Sequence, residues 1–177
     1  MSIVKTRFIT RTGVLLSLAL VFQLAGRYLT PLIGTNSNFV VGPLVNACLI
    51  IATASVSLWS GGLIAVAAPF GAILTGAAVP LAFAPFIAVG NFLLVLCFYL
   101  IKKNYYIGIL VGSIVKFGFL FASIACFLKL FQNILKIPQK VGEVLLVTFS
   151  WPQLITSLLG GTIALAVIKS LGKNIEI

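Results

Sequence analysis

Long apolar runs, broken at intervals by short polar or proline-bearing stretches, set the pattern of this chain. A helix that crosses a bilayer needs about 17–25 mostly apolar residues at a rise of about 1.5 Å each. Six runs meet that requirement and predict spans over 11–29, 38–59, 61–78, 85–101, 105–131 and 152–171. The third is short and contains Pro69. Ser150-Trp151-Pro152 ahead of the last run predicts a serine cap with proline in the first turn. The preceding stretch, "LKIPQKVGEVLLVTF" (135–149), is amphipathic and predicts a helix lying along the membrane surface. The expected fold is an all-α integral membrane protein. It is a compact bundle of six transmembrane helices, forming one domain over 1–177.

Composition agrees with this pattern. The 177 residues are 61% hydrophobic and only 8% charged, with mean hydropathy +1.23, whereas soluble domains carry about 25% charged residues. The N-terminus, "MSIVKTRFITRT", is basic, but no small-residue cleavage pattern follows, so the first run is expected to be a helix of the bundle rather than a signal peptide. Cys48, Cys97 and Cys126 lie inside apolar runs without paired spacing and read as small buried hydrophobes rather than redox groups or metal ligands. No metal and no cofactor is expected.

Basic residues set the orientation. With six spans both ends share a side, which would hold Lys5, Arg7, Arg11, Lys102, Lys103, Lys169 and Lys173. The other side would hold Arg27, Lys129, Lys136 and Lys140, offset by Glu143. The richer side is read as cytoplasmic, so both termini are expected there. The basic loop on the opposite side is unusual for that rule.

Missing residue types narrow the chemistry. The chain has no histidine, and its two acids, Glu143 and Glu176, lie outside the predicted spans. Imidazole bases and intramembrane carboxylate relays are therefore absent. No Gly-x-x-x-x-Gly-Lys-Ser/Thr loop occurs, so ATP is not hydrolysed through one. An enzyme is not expected. Uphill transport would draw on another polypeptide or on an ion gradient.

Against this background "GSIVKFGFLFA" (112–122) stands out, because it sets Lys116 in mid-span with no acid near it. Four amides, Gln23, Asn46, Asn91 and Gln153, fall by their depth in the outer half of their spans. Amides and cations in lipid face one another or a watery cavity. The expectation is a shared pocket open to the outside, containing these four and Lys116. Trp151, Tyr28, Phe83 and Phe86 would wall it. "VPLAFAPF" (79–86) would form an apolar rim, and "RYLTPLIGTNSNF" (27–39) a cover. Each amide reads equally well as a helix-to-helix bond and the tryptophan as an interface anchor. Lys116 has three readings: reaching toward the membrane surface, which its mid-span position opposes; uncharged; or charged and balanced by a substrate carboxylate or phosphate. The third is preferred, with Arg27, Lys129, Lys136 and Lys140 attracting the anion.

Six spans in so short a chain, cytoplasmic termini, no ATPase motif, "APFIAVGNFLLVL" (84–96) and "VGSIVKFGFL" (111–120) resemble the substrate-binding S-component of energy-coupling factor (ECF) transporters, the vitamin-uptake branch of ABC transporters. The resemblance covers nearly the whole chain. It implies a bacterial cytoplasmic membrane location, a transmembrane coupling subunit and two cytoplasmic ATPase subunits as partners, and a vitamin or related small metabolite as substrate. Membrane lipid surrounds such a subunit, and nucleic acid is not among its partners. Family members carry Ala-x-x-x-Ala on the first span as a docking patch. Here the nearest match is Gly13-x-x-x-Ser17 with Ala19 nearby, and Gly160-x-x-x-Ala164 is a second candidate. Such spacing also serves packing within one chain. Two other classes stay open: a self-contained secondary transporter or channel, sodium-coupled since proton-relay groups are missing, and a non-transporting structural membrane subunit.

Overall fold

The computed structural model describes residues 3–74, 81–101, 103–170 and 172, with the side chains of 3, 4, 35 and 36 outside that description. Seven α-helices are present among the described residues: α1 (Ile3–Ile33), α2 (Asn38–Ser55), α3 (Leu58–Leu74), α4 (Ala84–Leu100), α5 (Tyr105–Phe131), α6 (Gln139–Thr148) and α7 (Trp151–Ser170). Short 3-10 turns, Gly34–Ser37 and Leu81–Phe83, lead into α2 and α4. Five segments are long and apolar enough to cross a membrane: Lys5–Ile33, Asn38–Ser55, Leu81–Leu100, Tyr105–Phe131 and Gln139–Ser170. The chain is accordingly all-helical and of multi-pass membrane type. α3 is apolar but shorter, with 17 residues, about 25 Å against a hydrocarbon core of about 30 Å.

Side-chain contacts give the register. Arg11 reaches the Ser55 carbonyl, Gly26 sits against Val41, and Thr30 bonds Ser37, so α1 and α2 run antiparallel. Thr12 bonds Ser60 and Gln23 bonds the Ala68 carbonyl, so α1 and α3 run in the same direction. Phe39 meets Trp151, Gly42 meets Thr156, and Asn46 meets Gly160, so α2 and α7 are parallel. Gly161 meets Ile109 and Lys169 bonds Tyr106, so α5 runs against α7. The start of α1, the α2–α3 turn, the start of α5 and the end of α7 therefore share one end of the bundle. α2 occupies the centre, packed on α1, α3, α4 and α7.

Local chemistry explains the boundaries. Asn104 caps α5, its Oδ1 accepting from the backbone N–H groups of Tyr106 and Ile107 at 3.1 and 3.3 Å. α1 stops where Gly34 takes φ +63°, a conformation suited to glycine at a helix C-terminus. This corrects the expected cover loop over 27–39. The apolar residues up to Ile33 extend α1, leaving only Gly34–Ser37 as a connection, tied back by the 3.0 Å contact between the Thr30 and Ser37 hydroxyls. Trp59, assigned to the second span, belongs to α3, because the chain turns at Val56 and Ser57. The Ser150 hydroxyl does not cap α7. It donates to the Val147 carbonyl at 2.7 Å, while Pro152 does occupy the first turn. The amphipathic stretch forms α6, burying Gly142 and Leu145 and exposing Lys140, Glu143 and Val144. Part of the expected apolar rim, 79–80, lies outside the described residues, as does the end of the third predicted span.

Candidate functional site

Lys116 is brought to the centre of the bundle by glycines. On α5, Gly108 and Gly112 face α4 so closely that a Cβ on Gly112 would stand 2.8 Å from the Leu94 carbonyl. On α7, a Cβ on Gly160 would stand 2.6 Å from the Pro43 carbonyl of α2. Small residues of this kind let helix backbones approach in an apolar medium, where dispersion and polar contacts replace the hydrophobic effect. One turn beyond Gly112, Lys116 points toward α2. Its Nζ donates to Asn46 Oδ1 at 2.7 Å. Lys116 is 2% exposed and Asn46 3% exposed. No acid stands on α2, α4, α5 or α7, and Glu143 lies on the exposed face of α6, where it accepts from Gln139.

Two further polar groups stand at this level. Asn91, 4% exposed, projects from α4 between Gly90, which meets Leu120, and Leu94, which meets Gly112. Ser113 lies one turn before Lys116 on α5 and is fully buried, and its Oγ has no hydrogen-bond partner. That is anomalous here. Thr53, Ser55, Ser157 and Thr162 all donate to the carbonyl four residues earlier, as helical hydroxyls generally do. A buried hydroxyl left unpaired costs about 1–3 kcal/mol. The Ile109–Gly161 contact sets Ser113 level with Ser157 across the α5–α7 seam. Lys116, Asn46, Asn91 and Ser113 are thus four buried polar residues at a similar height in the bundle, and Asn46 is the side-chain acceptor of the Lys116 amine.

The remaining predicted residues are placed elsewhere. Gln23 faces α3, donating to the Ala68 carbonyl at 3.0 Å with its Oε1 unpaired. Gln153 donates to the Thr148 carbonyl at 3.3 Å and ties α7 to the end of α6. Tyr28 is 70% exposed, and Trp151, 52% exposed, lies with its ring 5.7 Å from that of Phe39. Both face outward and wall nothing. Phe83 and Phe86 belong to an aromatic cluster with Phe127 and Phe149. The expected pocket open to the outside is corrected accordingly: the level around Lys116 is closed, because the glycine contacts bring α2, α4, α5 and α7 together over it. Two surface hollows, of about 460 and 360 Å³, lie along α4, α5 and α6, and neither is lined by Lys116 or Asn46.

The small-residue candidates separate. Gly13 and Ser17 lie on an exposed face of α1, and a Cβ on Gly13 would meet nothing. Ala19 points the other way, fully buried among residues of α2, α3 and α4. Gly160 and Ala164 are buried inside the bundle, Gly160 against α2 and Ala164 beside Ile50 and Ile109. As a docking surface this second patch is corrected: it is an internal seam. Sequence reasoning missed Ser113, although its spacing of three from Lys116 on one helix marks a shared face. It also missed the buried Thr12–Ser60 contact of 2.7 Å, which joins two helices distant in sequence. Comparison of the chain with protein-family models, curated proteins and solved structures yields no match.

Proposed function

We propose that this chain is a substrate-binding membrane subunit of the S-component type, holding a small anionic metabolite at the Lys116 level and relying on separate subunits for ATP hydrolysis. On this reading α3 is the sixth crossing, both ends of the chain are cytoplasmic, and the membrane is a bacterial plasma membrane. A coupling subunit and two ATPases complete the importer.

The observation that carries the proposal is a buried lysine bonded to a neutral amide, with no carboxylate on the surrounding helices. An ionisable group at that depth is costly unless balanced, and groups of this kind mark ligand pathways. An anionic ligand would supply the missing charge, and Ser113 would give it a second donor. Ligand access then requires α2, α4, α5 and α7 to part at the end bearing Arg27 and Lys129. The exposed Gly13–Ser17 face of α1 is the surface proposed for the coupling subunit.

The same closure favours one other reading, a structural subunit in which the Lys116–Asn46 bond only pins α5 to α2. Lys116→Met separates them. The substrate-binding reading expects the gently purified wild-type chain to retain a small anion in native mass spectrometry. The Met variant should fold and retain it about tenfold less, a loss of about 1.4 kcal/mol. Equal retention removes Lys116 from any site.

A further inference from the structure

Two adjoining hollows share Phe127 and run along the surface where α4, α5 and the start of α6 meet. Phe86, Ala122, Ser123, Cys126, Leu130 and Phe131 complete the lining of the larger. Leu135, Lys136, Ile137, Pro138, Val141 and Leu145 lie in the smaller, beside Phe83. The larger opens on the apolar span Tyr105–Phe131. The smaller continues past the end of that span into the segment that joins α5 to α6. Both are shallow and open to the surface, with volumes of about 460 and 360 Å³.

The charge changes along the same line. Lys129 closes α5, Lys136 lines the smaller hollow, and Lys140 opens α6; all three are exposed. None of these ammonium groups meets a carboxylate among the described residues, and the acid of the region, Glu143, takes its hydrogen bond from Gln139 at 3.2 Å. Lys136 is held at φ +49°, a conformation uncommon for a side-chain-bearing residue. The turn around it is closed by the Ile137 N–H bond to the Gln132 carbonyl at 2.9 Å. An apolar slot beside a candidate span, with Lys136 in its lining and Lys129 and Lys140 close to it in sequence, has the polarity of one ligand class, since basic residues at a span end attract anionic headgroups. This also accounts for the basic loop that the orientation rule leaves unexplained.

We infer that the α4–α5–α6 groove binds an anionic phospholipid, with an acyl chain against Phe86, Phe127 and Leu130 and the headgroup phosphate at Lys136. The site is independent of Lys116 and of the transport reading. The test uses the full chain in nanodiscs of equal parts phosphatidylglycerol and phosphatidylcholine, followed by native mass spectrometry of the lipids that stay bound. The wild type should retain phosphatidylglycerol over phosphatidylcholine by about tenfold, about 1.4 kcal/mol in relative affinity.

Two variants test the two halves of the slot. Lys136→Gly removes the charge at a position whose φ glycine adopts without strain. Ala122→Trp fills the larger hollow from an exposed position. Each should bring the ratio down to that of the surrounding lipid, while Lys5→Met at the opposite end leaves it high. A wild-type ratio equal to the bulk overturns the proposal. So does a high ratio that survives either substitution.

Discussion

At the residue scale the decisive contact is Lys116 Nζ to Asn46 Oδ1. Removing one partner of a buried polar pair strands the other, whereas removing both with groups of similar shape is nearly neutral. Asn46→Leu alone should therefore lower stability by about 2 kcal/mol, and adding Lys116→Met should recover most of the loss. Thermal unfolding in one detergent measures both. A double variant as unstable as the sum of the two single ones would contradict a direct coupling. Ser113 behaves in the opposite sense. Its hydroxyl makes no bond, so Ser113→Ala should leave the melting temperature unchanged or higher while weakening ligand retention several-fold. A clear drop in stability would show that the hydroxyl is already engaged within the fold.

At the element scale the helices were largely legible, because each apolar run has bilayer length and each break carries proline, glycine or a polar cluster. α5 falls where the pattern predicts, over Tyr105–Phe131. α1 does not, since hydropathy cannot tell an apolar helical turn from an apolar loop at 30–33. That Lys116 and Asn46 each need a partner was legible, because a charge or amide in an apolar run needs one, and they bond each other. Gln23 and Gln153 were not separable from them, because depth along a helix says nothing about which face a residue takes. The two small-residue motifs look alike in sequence and behave differently in the fold. Gly160→Ala puts a methyl 2.6 Å from the Pro43 carbonyl, a backbone atom that cannot swing aside, so it should destabilise by about 1–3 kcal/mol. Gly13→Leu enters open space and should leave the isolated chain as stable as wild type while impairing uptake by an assembled transporter. Normal uptake would remove that face of α1 as the docking surface.

At the scale of the whole molecule, the fold is a helical bundle whose polar groups are unevenly distributed. One level holds a lysine, two amides and an unpaired hydroxyl, all buried. One surface groove has Lys136 in its lining. Other buried polar groups pair locally or between helices, as Thr12 does with Ser60. Among the described residues no group of three or more His, Cys, Asp or Glu could hold a metal ion. The account stands or falls on what occupies the Lys116 level. Native mass spectrometry of the chain, gently purified from its host membrane together with any subunits that accompany it, tests this most directly, with Lys116→Met prepared in parallel. The predicted result is a small anionic metabolite of defined mass on the wild type and its loss from the variant, with the fold retained. A wild-type chain that is repeatedly empty, even when produced with coupling subunits, or a metabolite held equally by the variant, would contradict it.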